Sequence, residues 1–169
     1  MNEASSNRQR CIERVKPNYV YVASSWRNLM QSGVCAALKA AGIDHYDFKN
    51  PEGGTGFSWK QVKPAGAPNG IAAKGSDWED VDTYLEMVNH PIATLGFQSD
   101  FEAMQRADTF VMVLPCGKSA HLELGWAVGA GKRTIILLED PVEPELMYRM
   151  VDEMHTSLFD LLGALGVDD

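Results

Sequence analysis

The sequence predicts an α/β fold, a parallel sheet with helices on both faces, in a single domain. Short runs such as YVYVAS (19–24) and RTIILL (133–138) are apolar nearly throughout, the composition of strands buried on both faces. Segments of helical spacing lie between them, and strands that alternate with helices build a parallel sheet. No internal repeat interrupts the 169 residues. The domain is expected over 17–169, preceded by a polar, irregular and flexible arm over 1–16.

The elements follow in order. YVYVAS is the first strand. NLMQSGVCAALKAAG then shows helical spacing, with Leu29, Val34 and Leu38 on an apolar side and Gly42 as a stop. IDHYDF is a second short strand. Residues 50–76 are rich in Gly and Pro around GFSWK, and a loop of that length is usually functional or disordered. SDWEDVDTYLEMVNH opens with Ser76 and Asp77 as caps and Glu79 at capping-box distance from Ser76. Pro91 restarts the chain, ATLGFQSDFEAMQRA continues as helix, and DTFVMVLP is the third strand. The small-residue helix within PCGKSAHLELGWAVGAGK leads to the strand RTIILL. PELMYRMVDEMHTSLFDLLGAL reads as a C-terminal helical segment, its Leu and Met stripe serving the core or an oligomer contact.

Bulk properties narrow the function. Hydrophobic residues make up 45% of the chain, enough to drive folding. A net charge of −8 argues against broad binding to nucleic acid or an anionic membrane, while leaving room for a local anion pocket. No signal-peptide core and no run long enough to span a bilayer is visible. Cys11, Cys35 and Cys116 lack metal spacing and an even disulfide framework, so a reduced cytoplasm is the expected compartment. They read as one thiol in the arm and two facing the core. His45, His90 and His155 are scattered without ligand spacing, so neither a metal nor another cofactor is expected.

Ligands of such sheets bind beyond the carboxyl ends of the strands, at the point where the winding reverses. ASSWRN after the first strand and PCGKSAHLE after the third are therefore the candidate walls of one site. Glu123 stands near the start of the slim helix, which carries Gly125, Ala127, Gly129, Ala130 and Gly131 and so permits close approach to the sheet or to a neighbouring chain. Ser119 is the natural cap, and Glu123, four residues on, misses the reciprocal capping position. A helix-start carboxylate held by the macrodipole is the plain alternative to a functional acid. Asp108 reads as a helix terminator and Asp100, taken alone, as an exposed helix acid. Phe57 and Trp59 either stack on a ligand's ring or form a hydrophobic patch under the long loop. Trp26 lines the pocket or packs, and His121 reads as a packing or interface histidine.

YVASSWRN, SDFEAMQRAD and HLELGWAVGAGK, in that order, resemble the nucleoside 2-deoxyribosyltransferase family, which includes the 2′-deoxynucleoside 5′-monophosphate N-hydrolases. The resemblance covers roughly residues 19–138. It implies a Rossmann-like doubly wound sheet, a homo-oligomer whose sites can borrow residues from a neighbour, and cleavage of an N-glycosidic bond through a glutamate nucleophile. Glu123 matches that glutamate, and Asp100 matches the aspartate that assists the base or sugar. Tyr21, Ser25 and Arg27 match first-loop positions of the monophosphate hydrolases, where serine and arginine meet the phosphate. Gly117 departs from the pattern, because transferases often carry an aspartate there and the hydrolases a phosphate-binding serine. Lys118 and Ser119 stand next to it as other anion-binding groups.

The chemistry suits that reading. Breaking a C1′–N bond places positive charge on the sugar, which a carboxylate beneath C1′ stabilises or captures as an ester. The departing base needs a proton or hydrogen bonds, a task for a carboxyl of raised pKa such as Asp100. Arg27 offers a planar fork to phosphate, and the helix N-terminal amides beside Ser119 also suit an anion. The expected partner is thus a small nucleoside or nucleotide. The alternatives are an NAD-cleaving glycohydrolase of the Toll/interleukin-receptor type, and a non-catalytic nucleotide-sensing protein that has kept the pocket.

Overall fold

A computed structural model of the chain describes residues 16–52, 54, 56–62 and 81–167. The elements run β1 (Val20–Ala23), α1 (Met30–Ala40), β2 (His45–Asp47), α2 (Val81–Val88), α3 (Pro91–Arg106), β3 (Thr109–Val113), α4 (Lys118–Gly129), β4 (Arg133–Leu137), β5 (Glu153–His155) and α5 (Leu158–Ala164). Short 3-10 turns lie at Trp59–Gln61 and Leu146–Met150. All five strands pair in parallel, in the order β2-β1-β3-β4-β5. The chain steps outward from β1 to β2 and then returns to β3 on the other side of β1. The winding therefore reverses between β1 and β3, the place where such sheets hold ligands.

Alternate residues of β1 divide the core in two, because successive strand side chains point to opposite faces. Tyr21 and Ala23 pack with Tyr46, Phe110 and Met112 under Ala103 and Met104 of α3 and Ala120, Leu124 and Ala127 of α4. Val20 and Val22 pack with Val111, Val113 and Ile135 under Val34 and Leu38 of α1, Leu161 of α5 and Leu165 just after it. Each large aliphatic or aromatic side chain so buried contributes about 1.5–3 kcal/mol. The sheet is thus covered on both faces, as the near-continuous apolar strands require.

Helix ends follow local chemistry. The His90 side chain accepts the Ile92 amide at the start of α3, and Pro91 fills the first helical position, where its missing N–H costs nothing. Gly42, at φ +64°, takes the left-handed turn that ends α1.

Three expectations are corrected. Leu29 is not on the buried side of α1; it is 91% exposed and precedes the helix, while Val34 and Leu38 are buried as expected. Ser119 does not cap α4, which starts at Lys118 with Gly117 as its extended, side-chain-free cap. The C-terminal run is not helical throughout, since it contains a 3-10 turn, the edge strand β5 and only then α5. Three residues with two polar side chains carry little strand signal of their own, and β5 forms through its ladder with β4. The caps expected at Ser76 and Asp77, Cys11 and all of the arm but Lys16 lie outside the described residues. Lys16 donates to the Ala41 carbonyl at 3.2 Å.

The described part of the long segment is packed. Gly56 is buried against Phe48 and Trp26, and a Cβ there would collide with the Phe48 carbonyl oxygen. The next residue, Phe57, joins Val62, Met87 and Ala93 in a small satellite core and lies directly over Gly96 of α3.

Candidate active site

The site grows from a row of aromatic rings across three strands. Tyr46, Tyr21 and Phe110 are register partners on β2, β1 and β3. Tyr21 stacks on Tyr46 at 5.4 Å between ring centroids and on Phe110 at 5.0 Å. Tyr21 is held by rings on both sides and Tyr46 by Tyr21, which restricts where their hydroxyls point. The Tyr46 hydroxyl donates to Asp100 Oδ1 at 2.8 Å, and the Tyr21 hydroxyl donates to the Glu123 carboxylate. Asp100 comes down from α3 and Glu123 from α4, so two helices deliver two carboxyls to adjacent phenols on one face of the sheet.

Burial and the negative charge of Asp100 push the Glu123 carboxyl up to about 7, against the pull of its bond from Tyr21. Burial likewise raises the Asp100 carboxyl, and the Tyr46 hydroxyl offsets part of that rise. Two partly desolvated carboxyls that repel each other hold one proton between them more readily than both ionise. Glu123 lies in the second turn of α4, which has no acid in its first turn. The macrodipole acts mainly within the first turn, so a helix-start role does not account for Glu123. The Cys116 thiol, close enough to feel the Glu123 charge, is pushed to about 11 by burial and that charge, and stays protonated at neutral pH.

The loops after β1 and β3 adjoin. Ser24 Oγ donates to the Val113 carbonyl at 2.8 Å, and the buried Asn28 amide donates to the Val113 and Pro115 carbonyls at 3.2 and 3.1 Å. Ser25 Oγ accepts the Arg27 amide at 3.2 Å, which turns the first loop and leaves the Arg27 side chain exposed. Lys118 and Ser119 form the exposed first turn of α4. Gly117 opens into free space at its Cβ position. Gly125 and Gly129 do too, so close approach to the sheet is made instead by Ala120 and Ala127.

Of the residues singled out in the sequence, Glu123, Asp100 and Tyr21 thus meet in one cluster, while Ser25, Arg27, Gly117, Lys118 and Ser119 gather at the neighbouring ends of β1 and β3. Phe57 and Trp59 touch each other edge to face at 4.9 Å, and Phe57 belongs to the satellite core. Gly96, beneath Phe57, precedes Asp100 by one helical turn on the same side of α3. Trp26 packs edge to face on Phe48 at 5.5 Å and is half exposed. Asp108 anchors the chain before β1, with Oδ2 accepting both nitrogens of Asn18. His121 is engaged by the Gly117 carbonyl and the Tyr148 hydroxyl, each at 2.8 Å. Sequence reasoning missed Tyr46 and Asn28. Tyr46 carries a detectable signal, a second tyrosine in the second short strand that the sequence predicts.

No protein-family model matches the chain, and no curated protein matches it. Among solved structures it is similar to a 2-deoxyribosyltransferase from the psychrotolerant bacterium Bacillus psychrosaccharolyticus, with TM-score 0.53 and 18% identity over 85% of this chain and 89% of that one. It is also similar to a CMP N-glycosidase from Clostridium botulinum, with TM-score 0.48 and 14% identity over 88% of this chain and 98% of that one. The first of these likenesses establishes that the chain shares the parallel, doubly wound fold of the transferase.

Proposed function

We propose that the protein is an enzyme that cleaves the N-glycosidic bond of a nucleoside or nucleoside 5′-monophosphate, by hydrolysis or by transfer to another base. The observation that carries this reading is the pair of partly buried carboxyls, Glu123 and Asp100, each bonded by its own tyrosine hydroxyl at the winding reversal of the sheet. The fold shared with a 2-deoxyribosyltransferase supports it. Ionised Glu123 attacks C1′ as the C1′–N bond breaks, and the electron pair of that bond leaves with the base. Asp100 gives its proton to the base. A water molecule or a second base then attacks C1′, frees Glu123 and returns a proton to Asp100, so the site ends as it began.

Ser25, Arg27 and the Lys118–Ser119 turn form a phosphate subsite in this reading, supported by the bonds that hold the two loops together. Release of free base from a nucleoside, its 5′-monophosphate and NAD tests both claims. The monophosphate is expected to show the higher kcat/KM, and Arg27→Ala to remove most of that advantage while sparing the nucleoside. Equal rates on both substrates would remove the phosphate subsite, and cleavage of NAD alone would replace the reading with a glycohydrolase.

The functional unit is a homo-oligomer. Leu122, exposed by 76%, shares a stripe of α4 with the open backbone of Gly125 and Gly129, and Phe97 on α3 is also largely exposed. Sedimentation at micromolar concentration should show a species at least twice the 18.6 kDa chain mass; a single 18.6 kDa species would contradict it.

A further inference from the structure

Tyr46 is buried in the middle of β2, and its hydroxyl has two neighbours, Asp100 Oδ1 at 2.8 Å and Ser99 Oγ at 3.1 Å. A phenol has one proton. With that proton on Asp100 Oδ1, the Ser99 hydroxyl must donate to the Tyr46 oxygen. The three groups form a directed chain, Ser99 to Tyr46 to Asp100, in which each bond polarises the next. The ring cannot swing away, because it is stacked on Tyr21.

We propose that Tyr46, oriented by Ser99, is the positioning residue that commits Asp100 Oδ1 to the protein and leaves Oδ2 as the oxygen that carries and delivers the proton. This rests on the reading of Asp100 as the acid that serves the departing base. A carboxyl free to rotate can hold its proton on either oxygen, and only one of them faces a bound ligand. The Tyr46 hydroxyl removes that choice. It also favours the ionised form, which keeps Asp100 from holding its proton too tightly to release it. The titratable groups coupled electrostatically to the Tyr46–Asp100 pair are Tyr19, just before β1, Tyr21 on β1 and Glu123 on α4.

Tyr46→Phe keeps the stacked ring and deletes only the hydroxyl. Base release by this variant should fall about tenfold in kcat with KM unchanged, a part of the effect of a whole general acid. Its kcat/KM profile should move to higher pH, because Asp100 loses a donor that favoured its anion. Ser99→Ala should shift both quantities in the same direction and by less. Asp100→Asn serves as the reference. If Asp100→Asn releases base at the unmodified rate, the acid reading itself has failed. If Asp100→Asn is inactive while Tyr46→Phe keeps an unmoved pH profile and normal kcat, the positioning role is wrong and the acid reading stands. A Tyr46→Phe variant that loses thermal stability and gains KM, with the profile unmoved, would equally overturn the proposal, since that is the mark of a packing role.

Discussion

Glu123→Gln should abolish base release, lowering kcat on the order of a thousandfold or more, without destabilising the protein. The amide cannot attack C1′ or balance positive charge on the sugar. Its size is the same, and its oxygen still accepts from Tyr21. The stability side follows from linkage. The folded carboxyl titrates at about 7, above the ordinary value of 4.5 that applies in the unfolded chain. Below pH 4.5 both forms are protonated and nothing is lost. Between 4.5 and 7 the unfolded chain ionises first and the native state loses ground, and above 7 the full cost of about 3 kcal/mol applies. Glu123→Gln should therefore melt at or above the temperature of the unmodified protein at pH 8 and close to it at pH 4. Near-normal turnover in this variant, or a large drop in melting temperature at pH 8, would contradict the assignment.

The second large effect is in the pH profile. The reactive form of the pair holds one proton, on Asp100 with Glu123 ionised. Because the Asp100 charge helps to raise Glu123, the resting pair keeps that proton mainly on Glu123, and the reactive form is the minor tautomer, reached when the proton moves to Asp100. The kcat/KM profile should therefore be bell-shaped, failing at low pH when both carboxyls are protonated and at high pH when both are ionised. The high-pH limb should lie near 7, where the pair loses its last proton. Removing the Asp100 charge removes one of the two causes that raise Glu123. Asp100→Asn should thus be slower by about 10²–10⁴-fold, and its remaining activity should rise along a single limb with a midpoint below 7. A residual midpoint unchanged from that of the unmodified protein would show that the two carboxyls do not interact.

The parts of this molecule that repeat a simple rule were legible in the sequence. VYVA, TFVMV and RTIIL are apolar because the sheet is covered on both faces, and their order with the helices implied a parallel sheet. β5 escaped because EMH is short and polar, and its pairing with β4 is a tertiary event. The α4 cap was misplaced by two residues because Ser119 is the stronger cap by composition, yet the chain leaving β3 turns into the helix at Gly117. Glu123, Asp100 and Tyr21 were singled out through a resemblance and a position. The tie between Tyr46 and Asp100 spans 54 residues and two elements, and nothing local in either segment announces it. Asn28 looks like an ordinary loop residue until β3 is placed beside β1, when its amide finds two carbonyls to bridge.

The most direct test of the central claim, attack by Glu123 on C1′, is mass spectrometry of the protein quenched during reaction with a 2-fluoro nucleoside or its monophosphate. The electron-withdrawing fluorine disfavours positive charge on the sugar and slows loss of the ester. The account predicts a single added fluorosugar on the peptide that contains Glu123, absent in Glu123→Gln. Base release with no adduct on Glu123, or with the sugar attached at another residue, would contradict it.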